Sequence, residues 1–451
     1  MAMLRRMLAI AACRALILAG KLAGKKSSST PGRIAMKIDP TLLRHLAAQV
    51  KREIIAVCGT NGKTTTTNLL DTLLKNAGYR VVCNNVGANM LDGVANAFIS
   101  MASLTGKLNA DYAALECDEA SLRHVVNHVK ANKIILTNLF RDQMDRYGET
   151  EITAELLREA FVKLPDATLI INADDPLCAQ FTRDFSCISY GISEDCNTQS
   201  AQTDEGRFCV FCGKELHYDY HHYSQLGSFS CPDCGFTRPT PDYSAQQVDL
   251  TNGLAFDVCY HGEKRRLDLH YRGFYNIYNV LASFAAYDAL GLPADGIDAV
   301  FNAYKPQIGR MEEFNIGGKT VILNLAKNPA GFNQAIATVA TDPRPKDVLI
   351  AVNDKPSDGT DVTWLWDVDF ETLGQANVTE ISAGGIRMHD VALRLKYAGF
   401  DDVSLAECDR ASLQTIISGS GEVCYLLVNY TVLFSVQSDL QALEQSTGKE
   451  N

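Results

Sequence analysis

The chain has 451 residues, 46% hydrophobic and 21% charged, an ordinary globular composition that excludes a disordered chain. At about 150 residues per domain, the length suggests roughly three domains with ample material for buried cores. Lys plus Arg number 42 against 53 Asp plus Glu, a net charge of −11, which speaks against a nucleic-acid binder held by phosphate contacts.

That sum conceals an asymmetry. Residues 1–52 carry eleven Lys/Arg and a single acid, Asp39, so this stretch is +10 and the remainder is −21. Within it, Met1–Leu22 reads as a basic helix, with Arg6, Arg14 and Lys21 on one side and Leu4, Leu8 and Leu18 mostly elsewhere. Arg14 interrupts the apolar run well short of the roughly 18 residues that a spanning helix needs. The charges continue through Lys21, Lys25 and Lys26, unlike a signal peptide. Two readings stay open: a helix packed on its own domain, or one that also leans on an anionic membrane surface at the inner face. Lys25–Gly32 is a polar connector.

From Ile54 the chain alternates. Strands are predicted at 54–59, 79–84, 112–117, 133–138 and 167–172, with helices such as Thr64–Ala77 and Ile152–Leu164 between them. This alternation implies a parallel, doubly wound sheet. The rhythm breaks at Glu205–Asp242, which reads as an inserted module, and a helix at Asn276–Leu290 completes the unit. After Ile308–Glu312 a second alternation begins, with strands at 319–325, 347–352, 378–382 and 422–429 and helices at 331–340, 388–398 and 411–417. The expected fold class is α/β: a basic helical arm (1–50), a central parallel-sheet domain (51–308, with the insertion at 205–242) and a smaller Rossmann-like α/β domain (309–451).

The first strand runs into Gly59-Thr60-Asn61-Gly62-Lys63-Thr64-Thr65-Thr66, which opens a helix. Glycines let backbone amides approach phosphate closely, and the helix dipole favours an anion there. Lys63 is placed to reach the terminal phosphates, and the Thr64 hydroxyl to ligate Mg2+. The spacing departs from the general phosphate-loop pattern, whose first glycine would fall at Val57.

In the insertion, Cys209, Cys212, Cys231 and Cys234 form C-x2-C-x18-C-x2-C, the spacing of a structural zinc site closed by four thiolates. Gly213 and Gly235 suit the tight knuckle turns. No dense Lys/Arg patch lies nearby, so a scaffold or partner surface is expected and nucleic acid is not. The chain has fourteen cysteines. Several of the others, including Cys58, Cys83, Cys187 and Cys424, sit in apolar runs, as reduced thiols do. With no export signal, a reducing cytoplasm is expected. Farther on, Asn353–Trp364 places Asp354, Asp358 and Asp361 in a loop at the carboxyl end of a strand, where α/β sheets bind ligands. By composition alone it is equally a solvated turn.

The motifs, in this order, resemble those of the Mur ligases and folylpolyglutamate synthetases, which join amines to carboxylates through an acyl phosphate. GTNGKTTT resembles their nucleotide loop, and Glu116 in Leu115–Glu119 stands where the family has a Mg2+-binding glutamate. Thr137-Asn138 with Asp142-Gln143 resembles the family's TN…DH segment, and Asn172–Pro176 its NADDP turn. Asn276 and Asn279 resemble the helix start that meets adenine, and Gly309-Arg310-Met311 the interdomain GRM. The resemblance implies ATP held by Gly59, Thr60, Asn61, Gly62, Lys63, Thr64, Thr65, Asn279 and Arg310, with Mg2+ on Thr64 and Glu116. Gln143 replaces the metal-binding histidine of many Mur ligases, and their C-domain Asp/His motif appears here as Asn324–Pro329. Only about 50 residues precede the loop, too few for a separate UDP-binding domain.

Three later segments, NLAKNPAG, ND…DGTDVTWLWDVDFE and GIRMHDVALRLKYAG, are similar to the MurT family, Mur-ligase-like synthetase subunits of lipid II isoglutaminyl synthase. That likeness implies ATP-dependent amidation of the D-glutamate α-carboxylate of lipid II. Ammonia would come from a GatD-type glutaminase partner in a heterodimer or larger complex. In that family, an aspartate before a Ser/Thr-Trp pair completes the partner's catalytic triad, and here it matches Asp361. Asp354 and Asp358 compete, since spacing selects none of them. The catalytic residues so implied are Lys63 and Asp361. The alternatives are a ligase adding a whole amino acid, of the Mur or folyl type, and a non-catalytic zinc scaffold.

Overall fold

Short runs of β-branched residues become the centre of the larger sheet. In the computed structural model, which describes residues 2–22, 29–84, 88–141, 150–198, 206–251, 253–270, 273–304 and 308–447, β1 (Ile54–Cys58) is buried throughout. It lies parallel between β3 (Tyr112–Glu116) and β4 (Lys133–Leu136), in a register that pairs Val57 with Glu116 and Cys58 with Leu136. Apolar burial on both faces is what a parallel strand covered by helices requires. β2 (Val81–Cys83) lies beyond β3. On the other side follow β5 (Thr168–Asn172), β6 (Cys187–Ile192) and β9 (Tyr243–Asp249), all parallel.

The sheet is not parallel to its end. β10 (Leu254–Tyr260) and β11 (Glu263–Leu269) close it as an antiparallel meander, giving nine strands among the described residues. Between β6 and β9 the chain leaves the sheet to form the hairpin of β7 (His217–Tyr223) and β8 (Leu226–Ser230).

α4 (Lys63–Asn76) and the helix Asn276–Asp288 pack together over one face, burying Leu69, Leu73, Ile277, Leu281 and Phe284. The opposite face is covered by α1 (Ala2–Leu22), α2 (Thr30–Ile38), α3 (Leu42–Ala47), α5 (Leu91–Met101) and the helix Thr150–Val162. α1 therefore packs on its own domain, through Ala9, Ile10 and Cys13. Its basic side is not its outer side. The Arg14 guanidinium reaches the Ala102 carbonyl, Arg6 stands 4.0 Å from Asp39, and Leu4, Leu8 and Leu18 are exposed instead.

The second sheet has the order β12-β13-β17-β14-β15-β16, with β12 (Glu312–Ile316), β13 (Lys319–Leu325), β14 (Lys346–Ala351), β15 (Val378–Gly384), β16 (Ser404–Ala406) and β17 (Val423–Val428). All neighbours pair parallel except β12 with β13. Helices Pro329–Thr341 and Met388–Tyr397 bury Phe332, Ile336, Val391 and Leu395 on one face, and helices Arg410–Ile417 and Tyr430–Thr447 bury Leu413, Val432 and Leu440 on the other. Cys58 and Cys424 are buried cysteines, and Cys83 and Cys187 are half-buried ones. Among the described residues, no helix is long and apolar enough to cross a membrane.

Candidate active site

β1 delivers the chain into a loop whose two outer glycines are required by both conformation and space. Gly59 has φ +117°, and a Cβ there would lie 2.3 Å from Thr137 Oγ1. Gly62 has φ +86°, and its Cβ would lie 2.2 Å from Asn279 Oδ1. Only glycine fits either position without strain. α4 starts at Lys63, so its unpaired amides and the positive end of its dipole face the loop.

Lys63 itself is buried. Its ammonium donates to Glu119 Oε1 at 3.0 Å, to the Thr60 carbonyl at 3.1 Å and to the Gly59 carbonyl. Burial disfavours the charge, but Glu119, Glu116 and Asp118 outweigh it and hold the amine above the usual lysine range. Burial pushes the Glu119 carboxyl up, while Lys63 pulls it back down. Glu119 received no role from the sequence, although it lies in the same short segment as Glu116. Only the tertiary placement of α6 (Glu119–Val125) against the loop brings it to Lys63.

Glu116 ends β3 beside the loop strand. Its Oε1 accepts from Asn89 Nδ2 at 3.2 Å, whereas Oε2 is buried with no hydrogen-bond partner among the described residues. A buried carboxylate oxygen without a donor is costly unless a cation meets it, so the residue fits a hard divalent ion such as Mg2+. Thr64, half-buried in the first turn of α4, supplies a hydroxyl of the kind Mg2+ accepts, and Thr65 beside it is buried.

The loop is held from the side by the Thr137-Asn138 segment. Asn138 accepts from the Asn61 amide at 2.8 Å and donates to the Asn61 carbonyl at 3.1 Å, while its own carbonyl takes the Thr60 amide at 2.8 Å. Thr60 Oγ1 accepts from the Phe140 amide at 2.9 Å. The Asn172–Pro176 turn supports this segment in turn: Asn172 donates to the Thr137 carbonyl, and Asp175 accepts from the Leu139 amide at 2.8 Å. Burial lifts Asp175 to about 6, against the pull of the Leu139 and Leu177 amides. Asp142 and Gln143, the rest of the TN…DH likeness, lie outside the described residues.

The insertion reaches the same turn. Gln225, in the β7–β8 hairpin, donates to the Leu139 carbonyl at 2.8 Å, and Arg238 donates to Asp174 at 2.7 Å. Asp174 also accepts from Tyr278 at 2.8 Å. Neither Gln225 nor Arg238 lies in a recognisable motif.

At its outer end the insertion gathers Cys209, Cys212, Cys231 and Cys234, whose sulfurs all lie within 4.8 Å of one another. Cys209–Cys234 and Cys212–Cys231 are each 3.5 Å apart, near the ~3.8 Å edge of a tetrahedron with ~2.3 Å metal–sulfur bonds. The Cys234 amide pulls Cys231 down to about 7, against its burial. Cys212 is pushed up to about 12 although the Lys214 amide favours its thiolate, because burial and the neighbouring sulfurs oppose a second negative charge. Gly213 and Gly235 take φ +71° and +73° at the knuckles. The donor set suits zinc. Arg183, from the main domain, stacks 3.4 Å from the Phe211 ring centroid and ties the knuckles down.

The second sheet closes on the loop from the other side. Asn328, which caps helix Pro329–Thr341 by accepting from the Gly331 amide, donates to Asn61 Oδ1 at 3.2 Å. Arg310 follows Gly309, whose carbonyl takes the Leu325 amide at 2.7 Å. Burial raises the Tyr275 hydroxyl pKa, and the Arg310 charge opposes it, which places Arg310 near the helix start that carries Asn276 and Asn279. Asn279 is buried and donates to Asn276 Oδ1 at 3.0 Å.

The three loop aspartates separate by environment. Asp358 is buried, and its two oxygens accept from the Thr431 amide at 2.8 Å and hydroxyl at 2.6 Å, at the start of the last helix. Asp354 faces Arg387 at 3.7 Å. Asp361 is half-buried and uses Oδ1 for both the Thr363 amide, at 2.8 Å, and the Thr363 hydroxyl, at 2.7 Å. These two donors hold its carboxyl below the usual aspartate range. It lies far along the chain from Lys63 and, among the described residues, is not part of the nucleotide loop's hydrogen-bond network.

A phosphate loop on β1, an acidic residue ending the adjacent parallel strand and a second α/β sheet capping the loop define a protein of the Mur-ligase type. The Mur ligase middle domain matches residues 57–232, and the MurT ligase C-terminal domain matches residues 325–433. The chain belongs to the MurT family. It is 35% identical over 447 residues to the lipid II isoglutaminyl synthase (glutamine-hydrolyzing) subunit MurT of Streptococcus pneumoniae, covering 96% of this chain and 98% of that protein. To the subunit of the same name from Staphylococcus aureus it is 35% identical over 393 residues, 87% of each. Among solved structures, a pseudomurein peptide ligase type C from Methanothermus fervidus superposes with a TM-score of 0.70 at 23% identity, covering 88% of this chain and 80% of that one, a likeness of fold.

Two predictions follow from this geometry. Gly62→Ala, which needs a side chain at φ +86° against Asn279, should weaken ATP binding at least about tenfold in a calorimetric titration. Asp358→Ala should cost about 1 kcal/mol in urea unfolding through the lost helix cap, whereas Asp361→Asn should stay within about 0.5 kcal/mol.

Proposed function

We propose that this chain is the synthetase subunit of a two-component enzyme that amidates the D-glutamate α-carboxylate of lipid II in peptidoglycan synthesis. The observation that carries the reading is 35% identity along nearly the whole chain to subunits of that name. The nucleotide loop supplies the chemistry the reading needs. ATP lies in the loop from Gly59 to Thr65, with Asn279 and Arg310 at its edges. Transfer of the γ-phosphoryl group to the carboxylate gives an acyl phosphate and ADP. Ammonia then attacks the acyl carbon and phosphate leaves, forming the amide.

Lys63 leaves Glu119 for the terminal phosphates, its charge secured at every physiological pH, and Arg310 adds a second positive charge. Thr64 and Glu116 hold Mg2+, which neutralises phosphate charge when bound. Cys209, Cys212, Cys231 and Cys234 hold zinc structurally, since four thiolates leave no open position. Through Gln225 and Arg238, the folded insertion then braces the turn that supports the loop.

Ammonia comes from a glutaminase partner of the GatD type. Asp361, pinned by Thr363 yet half-exposed, orients the partner's histidine by accepting its Nδ1–H. Asp358 is spent on its helix cap. The enzyme works in the cytoplasm beside the membrane that carries its lipid-linked acceptor.

The purified chain with its glutaminase, glutamine and ATP should convert lipid II to the amidated form, read by mass spectrometry. Lys63→Ala should abolish this with either glutamine or ammonium. Asp361→Asn should abolish glutamine hydrolysis but keep ammonium-driven amidation, and intact hydrolysis in that variant would remove the role given to Asp361. A free amino acid replacing ammonium as the nucleophile would instead indicate an amino-acid-adding ligase. Elemental analysis should find one zinc per chain, and Cys231→Ser should lose it and lower the melting temperature.

A further inference from the structure

One surface remains that neither the nucleotide site nor the core uses. Along α1, residues Leu4, Leu8, Ala11, Ala15, Leu18 and Leu22 recur at spacings of four and three, so they share one stripe of the helix. All six are exposed, with Leu4 at 63%, Leu8 at 56%, Leu18 at 60% and Leu22 at 82%. The opposite side, Ala9, Ile10 and Cys13, is fully buried in the main core. A helix on a globular surface ordinarily turns its polar side outward. This one is apolar on both its inner and its outer side.

We propose that α1 rests lengthwise on an anionic lipid surface through this leucine stripe. Two observations select lipid over a protein surface. The helix is apolar but too short of hydrophobic length to cross a bilayer, and its inner face is already committed to the core, so it lies on a membrane rather than in it. Its segment also carries eleven Lys/Arg and one acid within an otherwise acidic chain. Arg5 is exposed beside the stripe with its Nε on the Ile38 carbonyl, Arg33 is exposed on α2 and pairs with Asp92 at 2.8 Å, and Lys21, Lys25 and Lys26 adjoin the end of α1 in the sequence. Apolar side chains flanked by cations match acyl chains beneath anionic headgroups, and the acidic remainder is repelled from that surface, which sets the orientation. The inference rests on the membrane-side placement proposed above and names the element that makes the contact.

The test uses the full-length chain and vesicles of phosphatidylcholine, with or without phosphatidylglycerol, in a sedimentation assay. The chain should bind the vesicles containing phosphatidylglycerol, less so at high salt, and the L8E/L18E double variant should bind at least about tenfold more weakly. The milder L4Q/L22Q variant, altered only near the helix ends, should also be weakened if the first variant folds poorly. Both should keep the wild-type amidation rate on detergent-dispersed lipid II. Failure of the wild-type chain to bind these vesicles, or equal binding by folded variants, overturns the proposal. Loss of glutaminase association in the variants with vesicle binding intact also overturns it, by making the stripe a protein interface. Wild-type vesicle binding without any amidation would instead sink the functional reading and leave the membrane contact standing.

Discussion

The phosphate loop keeps its shape because its backbone is clamped from two sides. Asn138 and Thr137 hold the Gly59–Asn61 stretch, and Asn279 fills the space that any side chain on Gly62 would need. Neither clamp is local. Asn138 follows β4, and Asn279 sits on a helix more than two hundred residues away. The parallel register of β1 with β4 and the packing of helix Asn276–Asp288 on α4 are therefore conditions for the site as well as for the core. A loop whose amides are fixed in advance binds an anion without first paying to order itself.

Charge is arranged around that clamp with equal economy. Lys63 is buried against Glu119 and two carbonyls, so the cation is held charged beside the loop. Glu116, one strand over, instead leaves a buried oxygen without a donor among the described residues. The two carboxylates, three residues apart in sequence, thus differ: one is paired with a protein cation, and the other keeps a buried oxygen with no donor among the described residues. A buried charge is tolerated only when paired, and the pairing tells them apart.

The insertion and the second sheet each add one hold on the same loop. Gln225 and Arg238 tie the hairpin to residues 139 and 174, and Asn328 ties the second sheet to Asn61. Removing the insertion would take the Gln225 donor from the Leu139 carbonyl and the Arg238 donor from Asp174 Oδ1, a cost of about 1–3 kcal/mol for each buried atom left unpaired. A module that leaves the sheet between β6 and β9 thus bears on the turn that supports the loop.

Much of this was legible in the sequence where the signal is local. Strands at 54–58, 112–116 and 133–136 emerge within a residue or two of expectation, because short β-branched runs between helices have few other ways to be buried. The glycines of the loop, the four cysteines and Glu116 at a strand end are likewise readable, since each rests on spacing along one stretch of chain. What the sequence could not decide depends on distant partners. Glu119 as the partner of Lys63, Gln225 and Arg238 as braces, and the antiparallel close of the sheet carry no local pattern. The choice among Asp354, Asp358 and Asp361 was open by spacing, and it was narrowed when Thr431, seventy-three residues on from Asp358, consumed both of its oxygens. The sequence likewise determined that residues 2–22 form a basic helix. Only packing decided that its buried side is Ala9, Ile10 and Cys13 and that its leucines face out, because which face of a helix is covered is set by the surface it meets.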